Sequence, residues 1–130
     1  MYQELIKQAI EARNRAYTPY SNFKVGAALI TKGGKIYTGC NIENAAYSPS
    51  NCAERTAIFK AVSEGEREFE AICVVGAKEG EELIDCFPCG VCRQVISEFC
   101  DSNFTIIIAK SIDEYKTFTL KDLLPYSFDL

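Results

Sequence analysis

Cys52-Ala53-Glu54-Arg55 and Pro88-Cys89-Gly90-Val91-Cys92-Arg93 are the two stretches of this sequence equipped for chemistry. Each lies where a helical rhythm begins. Cys52, Cys89 and Cys92 therefore fall at predicted helix starts, where the positive end of the helix dipole favours the thiolate that a metal needs. Three thiolates, in a chain with no histidine, make a three-point zinc site whose fourth tetrahedral position is left for water. Glu54, two residues after the first thiol, can reach that water as a base without ligating the metal. Three thiolates on one Zn²⁺ leave net negative charge, which opposes ionisation of the water. Arg55, donating to the Cys52 sulfur, would offset part of it.

Each of these residues also has a plainer reading. Cysteine is among the most often buried residues, and Cys40, Cys73 and Cys100, in or beside apolar segments, read as core thiols. A lone C-x-x-C also fits a redox dithiol, but such a motif follows the first strand of a thioredoxin-like pattern, and this one comes late in the chain. Cys86, Cys89 and Cys92 form an overlapping C-x-x-C-x-x-C. The bacterial iron–sulfur run continues with x₃-C-P, whereas Ile96 and Ser97 stand at those positions here. A structural zinc held by four cysteines, Cys86 included, would close the open position and abolish catalysis. It remains the alternative, as a zinc-stapled interaction module.

The bulk numbers narrow the classes. A chain of 130 residues, a little under half apolar and a quarter charged, fits one soluble globular domain. No apolar run approaches a membrane span, and Met1-Tyr2-Gln3-Glu4 lacks a secretory pattern, so the expected compartment is the cytoplasm. Formal charge is −4, and basic residues are scattered, as at Arg13 and Arg15. A nucleic-acid polymer would need a concentrated basic surface; the expected partner is a small molecule, with no membrane. Seven cysteines, an odd number, read as thiols rather than a disulfide framework. Without histidine, any general base must be a carboxylate, a lysine or a metal-bound hydroxide.

Around the two stretches the pattern predicts an amphipathic helix over 2–16 ended by Thr18-Pro19. A strand follows over 24–31, a turn at 32–35 and a returning strand over 36–40. A helix runs from near Cys52 to about Glu64, stopped by Gly65. A buried strand covers 71–77, and an acidic loop 78–87. A helix over 90–99 presents Val91, Val95, Ile96 and Phe99, and strands over 104–109 and 115–120 precede a short helical turn ending at Leu123-Leu124-Pro125. Five strands alternating with helices predict an α/β fold, a three-layer α/β/α single domain over 1–130.

Taken together, the Tyr20-Ser21-Asn22-Phe23-Lys24-Val25-Gly26-Ala27-Ala28, Gly39-Cys40-Asn41-Ile42-Glu43-Asn44-Ala45, Cys52-Ala53-Glu54-Arg55-Thr56-Ala57, Pro88-Cys89-Gly90-Val91-Cys92-Arg93-Gln94 and Leu123-Leu124-Pro125 runs resemble the small, free-nucleoside branch of the zinc-dependent cytidine deaminase family. The chemistry expected from that resemblance is the superfamily's own: hydrolytic deamination of cytidine and 2'-deoxycytidine to the uridine forms with release of ammonia. The resemblance implies a mixed five-stranded sheet, one zinc per subunit on Cys52, Cys89 and Cys92, and Glu54 as the proton shuttle. It implies that Phe23 packs against the pyrimidine, that Asn41 and Glu43 bind the ribose hydroxyls, and that the Ala53 N–H meets the base carbonyl. It also implies a homotetramer in which Tyr47 and Phe128 act across an interface. Phe87 stands where the family more often has Ser, Cys86 is additional, and the acidic loop is long for the family. Blasticidin-type deaminases share the Cys-Ala-Glu and Pro-Cys-Gly patterns; the Asn41-Ile42-Glu43-Asn44 run favours the nucleoside.

Overall fold

In the computed structural model, which describes residues 1–130, the sheet is built around strand β3 (Phe69–Lys78). β1 (Phe23–Thr31) pairs with it antiparallel on one side and β4 (Thr105–Ala109) parallel on the other. β2 (Ile36–Cys40) and β5 (Tyr115–Thr119) close the two edges, giving the order β2-β1-β3-β4-β5. A parallel pair needs a crossover, and helix α3 (Gly90–Phe99) supplies it between β3 and β4.

Side chains alternate across the strands, which divides the core in two. Ala28, Ala71, Cys73, Val75 and Ile107 face helix α1 (Gln3–Arg13), which buries Leu5, Ile6, Ala9 and Ala12 against them. Ala27, Leu29, Ile72, Val74, Ile106 and Ile108 face the other way, beneath α2 (Ala53–Ser63) and α3. The result is the expected three-layer α/β/α domain with a mixed five-stranded sheet. None of its helices is long and apolar enough to cross a membrane.

Close approach of the helices depends on missing side chains. A Cβ at Gly26 would lie 2.1 Å from the Ala9 carbonyl oxygen, so α1 can sit directly on β1. A Cβ at Gly39 would lie 2.5 Å from both the Ala53 oxygen and the Ala57 nitrogen, so α2 rests its first turn on β2.

The structure corrects three sequence expectations. α1 stops at Arg13 rather than running to residue 16. The Arg13 guanidinium donates to the carbonyls of Lys24 and Ala77, both at 2.8 Å, and pins the helix end to the strands. Val91 points outward, 57% exposed, because α3 buries the i, i+4 pair Cys92 and Ile96 instead. β5 ends at Thr119, which becomes the N-cap of α4 (Leu120–Leu123), closed by a reciprocal capping box with Asp122. All seven cysteines are free; Cys73 is fully buried, while Cys40 and Cys100 are only partly so.

Candidate active site

Two helix starts converge on one point. Cys52 is the N-cap of α2 and Cys89 the N-cap of α3, both in extended backbone conformation. Cys92 follows one turn into α3, and its N–H donates to the Cys89 sulfur at 3.5 Å. The Cys52 and Cys89 sulfurs lie 3.7 Å apart, and all three sulfurs fall within 4.8 Å of one another. A tetrahedron with Zn–S bonds of about 2.3 Å separates its sulfurs by about 3.8 Å, so this donor set fits zinc. Cys86 stands outside the trio. Its thiol is pushed up to about 12, mainly by burial and further by the nearby Glu54 and Cys52 charges.

Charge in the trio concentrates on Cys52. A hydrogen bond from Cys92 and another from Arg55 outweigh partial burial and bring its thiol down to about 5. The Arg55 Nη2 donates to the Cys52 sulfur at 3.3 Å. The same pairing with Cys52, together with burial, raises the Cys92 thiol.

Glu54 occupies the second position of α2, where a helix N–H has no intrahelical acceptor and negative charge is favoured. It is only 3% exposed, and it lines the cavity. Burial first, and then the Cys52 charge, raise its carboxyl to about 7. A carboxyl near that value can both take and give a proton at neutral pH.

Cys52, Glu54, Arg55, Cys86 and Cys89 line a cavity of about 320 Å³ together with Val25, Asn41, Glu43, Ala53 and Phe87, while Cys92 is buried outside its lining. Asn41 and Glu43 in this lining are held by β1 and the loop before it. The Asn41 amide bridges β1, accepting from the Val25 N–H and donating to the Phe23 carbonyl, each at 2.8 Å. Glu43 accepts from the Tyr20 and Ser21 N–H groups at 3.0 and 3.1 Å and from the Ser21 hydroxyl. These bonds hold its carboxyl below the usual range, the hydroxyl contributing most. Phe23 lies just behind the wall, its ring beside Cys86 and Gly76. Tyr47 and Phe128 are not brought in: they are 79% and 66% exposed and belong to a surface loop and the C-terminal tail.

One contributor to this geometry has no local signal. Arg93 donates from Nε to the Pro88 carbonyl and from Nη1 to the Leu123 carbonyl, both at 2.7 Å. It clamps the loop carrying Cys89 to α4. Its place in the motif is visible in the sequence, but its partner thirty residues away is not.

Residues 1–108 match the model of the cytidine and deoxycytidylate deaminase zinc-binding region. Over 126 residues the chain is 50% identical to a cytidine deaminase of Sporosarcina psychrophila, covering 97% of this chain and 90% of that protein. It is 48% identical over 126 residues to a cytidine deaminase of Halalkalibacterium halodurans, with 97% and 92% covered. The crystal structure of cytidine deaminase from Burkholderia pseudomallei superposes with a TM-score of 0.89 at 46% identity, covering 98% of this chain and 99% of that one.

Proposed function

This chain belongs to the zinc-binding cytidine and deoxycytidylate deaminase family, and from that premise we propose that it hydrolyses cytidine and 2'-deoxycytidine to uridine and 2'-deoxyuridine, releasing ammonia. It is a zinc-dependent hydrolytic deaminase. The observation that carries the assignment of roles is Glu54, a buried carboxylate open to the cavity beside three sulfurs spaced for one zinc.

Cys52, Cys89 and Cys92 would hold the zinc, which when bound supplies Lewis acidity and lowers the pKa of a water to about 7. Glu54 takes a proton from the attacking water and delivers it to ring N3, which makes C4 electrophilic. Once the C4–O bond has formed, Glu54 takes the remaining proton from the added hydroxyl and passes it to the exocyclic amino group, and the C–N bond breaks to release ammonia and leave the C4 carbonyl. The Ala53 N–H, the first of α2, is free of intrahelical bonding and meets the base carbonyl. Asn41 and Glu43 receive the sugar hydroxyls, and Phe23, behind the wall, backs the Cys86 side of the pocket that holds the ring. Arg55 keeps Cys52 a thiolate and lightens the negative charge of the trio.

The catalytic unit spans 1–130 and works as a homotetramer, in which Tyr47 and Phe128 complete a neighbour's site. Their exposure, together with that of Tyr17, Tyr20 and Tyr126, supports an apolar contact surface. Seven free thiols support a reducing, cytoplasmic setting, where the reaction serves pyrimidine salvage.

The test is the ultraviolet absorbance change of cytidine with zinc-loaded protein, with Glu54→Gln as the blank. The native protein is expected to consume cytidine, and the variant to keep its zinc while losing about 10²–10⁴-fold in kcat. Near-native turnover by Glu54→Gln would overturn the assignment of the proton shuttle. No turnover by the zinc-loaded native protein would overturn the substrate.

A further inference from the structure

The reacting carbon of cytosine, C4, has two ring neighbours, N3 and C5. With C4 at the Cys52–Cys89–Cys92 trio and N3 at Glu54, the ring lies with one edge along the start of α2. C5 then points away from α2, to the opposite wall at the sulfur end of the cavity. Cys86 and Phe87, lining residues from the loop before α3 rather than from α2, are assigned to that wall. The sugar, on N1 across the ring from C4, extends toward Asn41 and Glu43.

The two wall residues are held differently. Phe87 leans on the edge of the sheet, its ring edge-on to Phe118 with centroids 5.4 Å apart. Cys86 is wedged between the cavity and β3. The Ile84 N–H donates to the Gly76 carbonyl at 3.0 Å and draws the loop onto the strand. A Cβ on Gly76 would lie 2.7 Å from the Cys86 sulfur and 3.2 Å from the Phe23 ring. Strand backbone therefore stands directly behind the thiol, which has nowhere to retreat. Interiors this close-packed pass a change of side-chain volume to whatever lies on the open side. Here the open side is the space into which the buried Glu54 opens.

We propose that Cys86 is the specificity-determining residue for the substituent at pyrimidine C5: its thiol, backed by Gly76, sets how large a group the ring can carry there. The proposal rests on the cytidine reading above, because the positions of C4 and N3 are what send C5 to this wall.

The test compares cytidine with 5-methylcytidine in zinc-loaded native protein, Cys86→Ala, Cys86→Val and Phe87→Ala. Equilibrium binding of both nucleosides is also measured by calorimetry with the Cys86 substitutions in a Glu54→Gln background. One methyl group in an apolar pocket discriminates by roughly tenfold or more. The ratio of kcat/KM for 5-methylcytidine over cytidine is expected to rise about tenfold in Cys86→Ala and to fall by a similar factor in Cys86→Val. The Kd of 5-methylcytidine relative to that of cytidine should move in the opposite sense, falling in Cys86→Ala and rising in Cys86→Val by a similar factor, since a wall acts on binding and not on proton transfer. Ratios within twofold of native in both Cys86 variants, with cytidine still turned over, overturn this proposal alone. So does a shift that appears only in Phe87→Ala. A zinc-loaded native protein inert toward both nucleosides overturns the cytidine reading and this inference with it.

Discussion

Cys52 and Cys89 cap α2 and α3 in nearly the same backbone conformation, φ −78°, ψ 155° for one and φ −67°, ψ 168° for the other. The two helix starts are nevertheless held in place by opposite means. α2 is seated by the absence of atoms: Gly39 lets the Ala53 and Ala57 backbone rest on β2, and Ala53, Glu54 and Ala57 are all buried. α3 is seated by a polar clamp, with Arg93 joining the Pro88 and Leu123 carbonyls while Cys89 stays exposed. The start that carries the proton-moving carboxylate is packed into the core. The start that carries two of the three sulfurs hangs on a side chain. Proton transfer needs a fixed distance to the substrate, which close packing supplies; a ligand loop needs orientation, which two charge-assisted hydrogen bonds supply.

Several substitutions would break that contrast, and the largest effect belongs to the packed side. Gly39→Ala drives a methyl into the α2 backbone and should cost about 3 kcal/mol of stability, read as a lowered midpoint in chemical denaturation. A midpoint unchanged from native would mean that α2 is not seated by contact. On the clamped side, Arg93→Ala should leave most of the core intact and loosen the Cys89 loop. We expect zinc affinity to fall about 10–100-fold in a chelator competition, with Arg93→Lys recovering only part, because a single ammonium cannot span both carbonyls. Arg55→Gln removes the donor to the Cys52 sulfur. About tenfold should be lost from kcat, with the denaturation midpoint close to native, and unchanged kinetics would refute charge compensation.

The smallest effect sharpens the comparison by moving the same side chain from a helix start to the sheet. At the start of α2 the Cys52 thiol is brought down to about 5. In β3, burial pushes the Cys73 thiol up to about 12 from an ordinary value of 9.0. An acid whose folded pKa lies above its unfolded one contributes stability that is present in full below about pH 9 and lost as pH rises toward 12, because only the unfolded chain ionises readily. Thermal midpoints should therefore fall between pH 9 and 10.5, and Cys73→Ala, though less stable at neutral pH, should show a shallower fall. Parallel slopes in the two proteins would show that Cys73 does not carry the dependence.

Much of the fold was legible because period is local information. The buried strand over 24–31 with its hairpin return over 36–40, the apolar run through Ala71–Ala77 and the helical rhythm after Cys52 and Gly90 all place elements within a few residues of where they stand. The misses were tertiary. Arg13 ends α1 early because carbonyls of β1 and β3 capture its guanidinium. Val91 faces outward because Cys92 takes the buried side of α3. The carbonyls that capture Arg13 lie far along the chain, and which face of α3 turns inward is settled by the sheet it packs on rather than by the helix's own period.

The same division runs through the site. By itself the sequence determined that Cys89 and Cys92 lie one helical turn apart and that Glu54 follows Cys52 by two residues, since helix geometry settles short spacings wherever the helix sits. Only the tertiary structure decided that the Cys52 and Cys89 sulfurs, 37 residues apart, come to 3.7 Å. It also left Cys86 out of the trio and put that thiol against Gly76, and it set Arg93 to hold Pro88 and Leu123 together. Those contacts arise from how two helices are laid on one face of the sheet, and that depends on which surfaces pack together rather than on the order of residues along either helix.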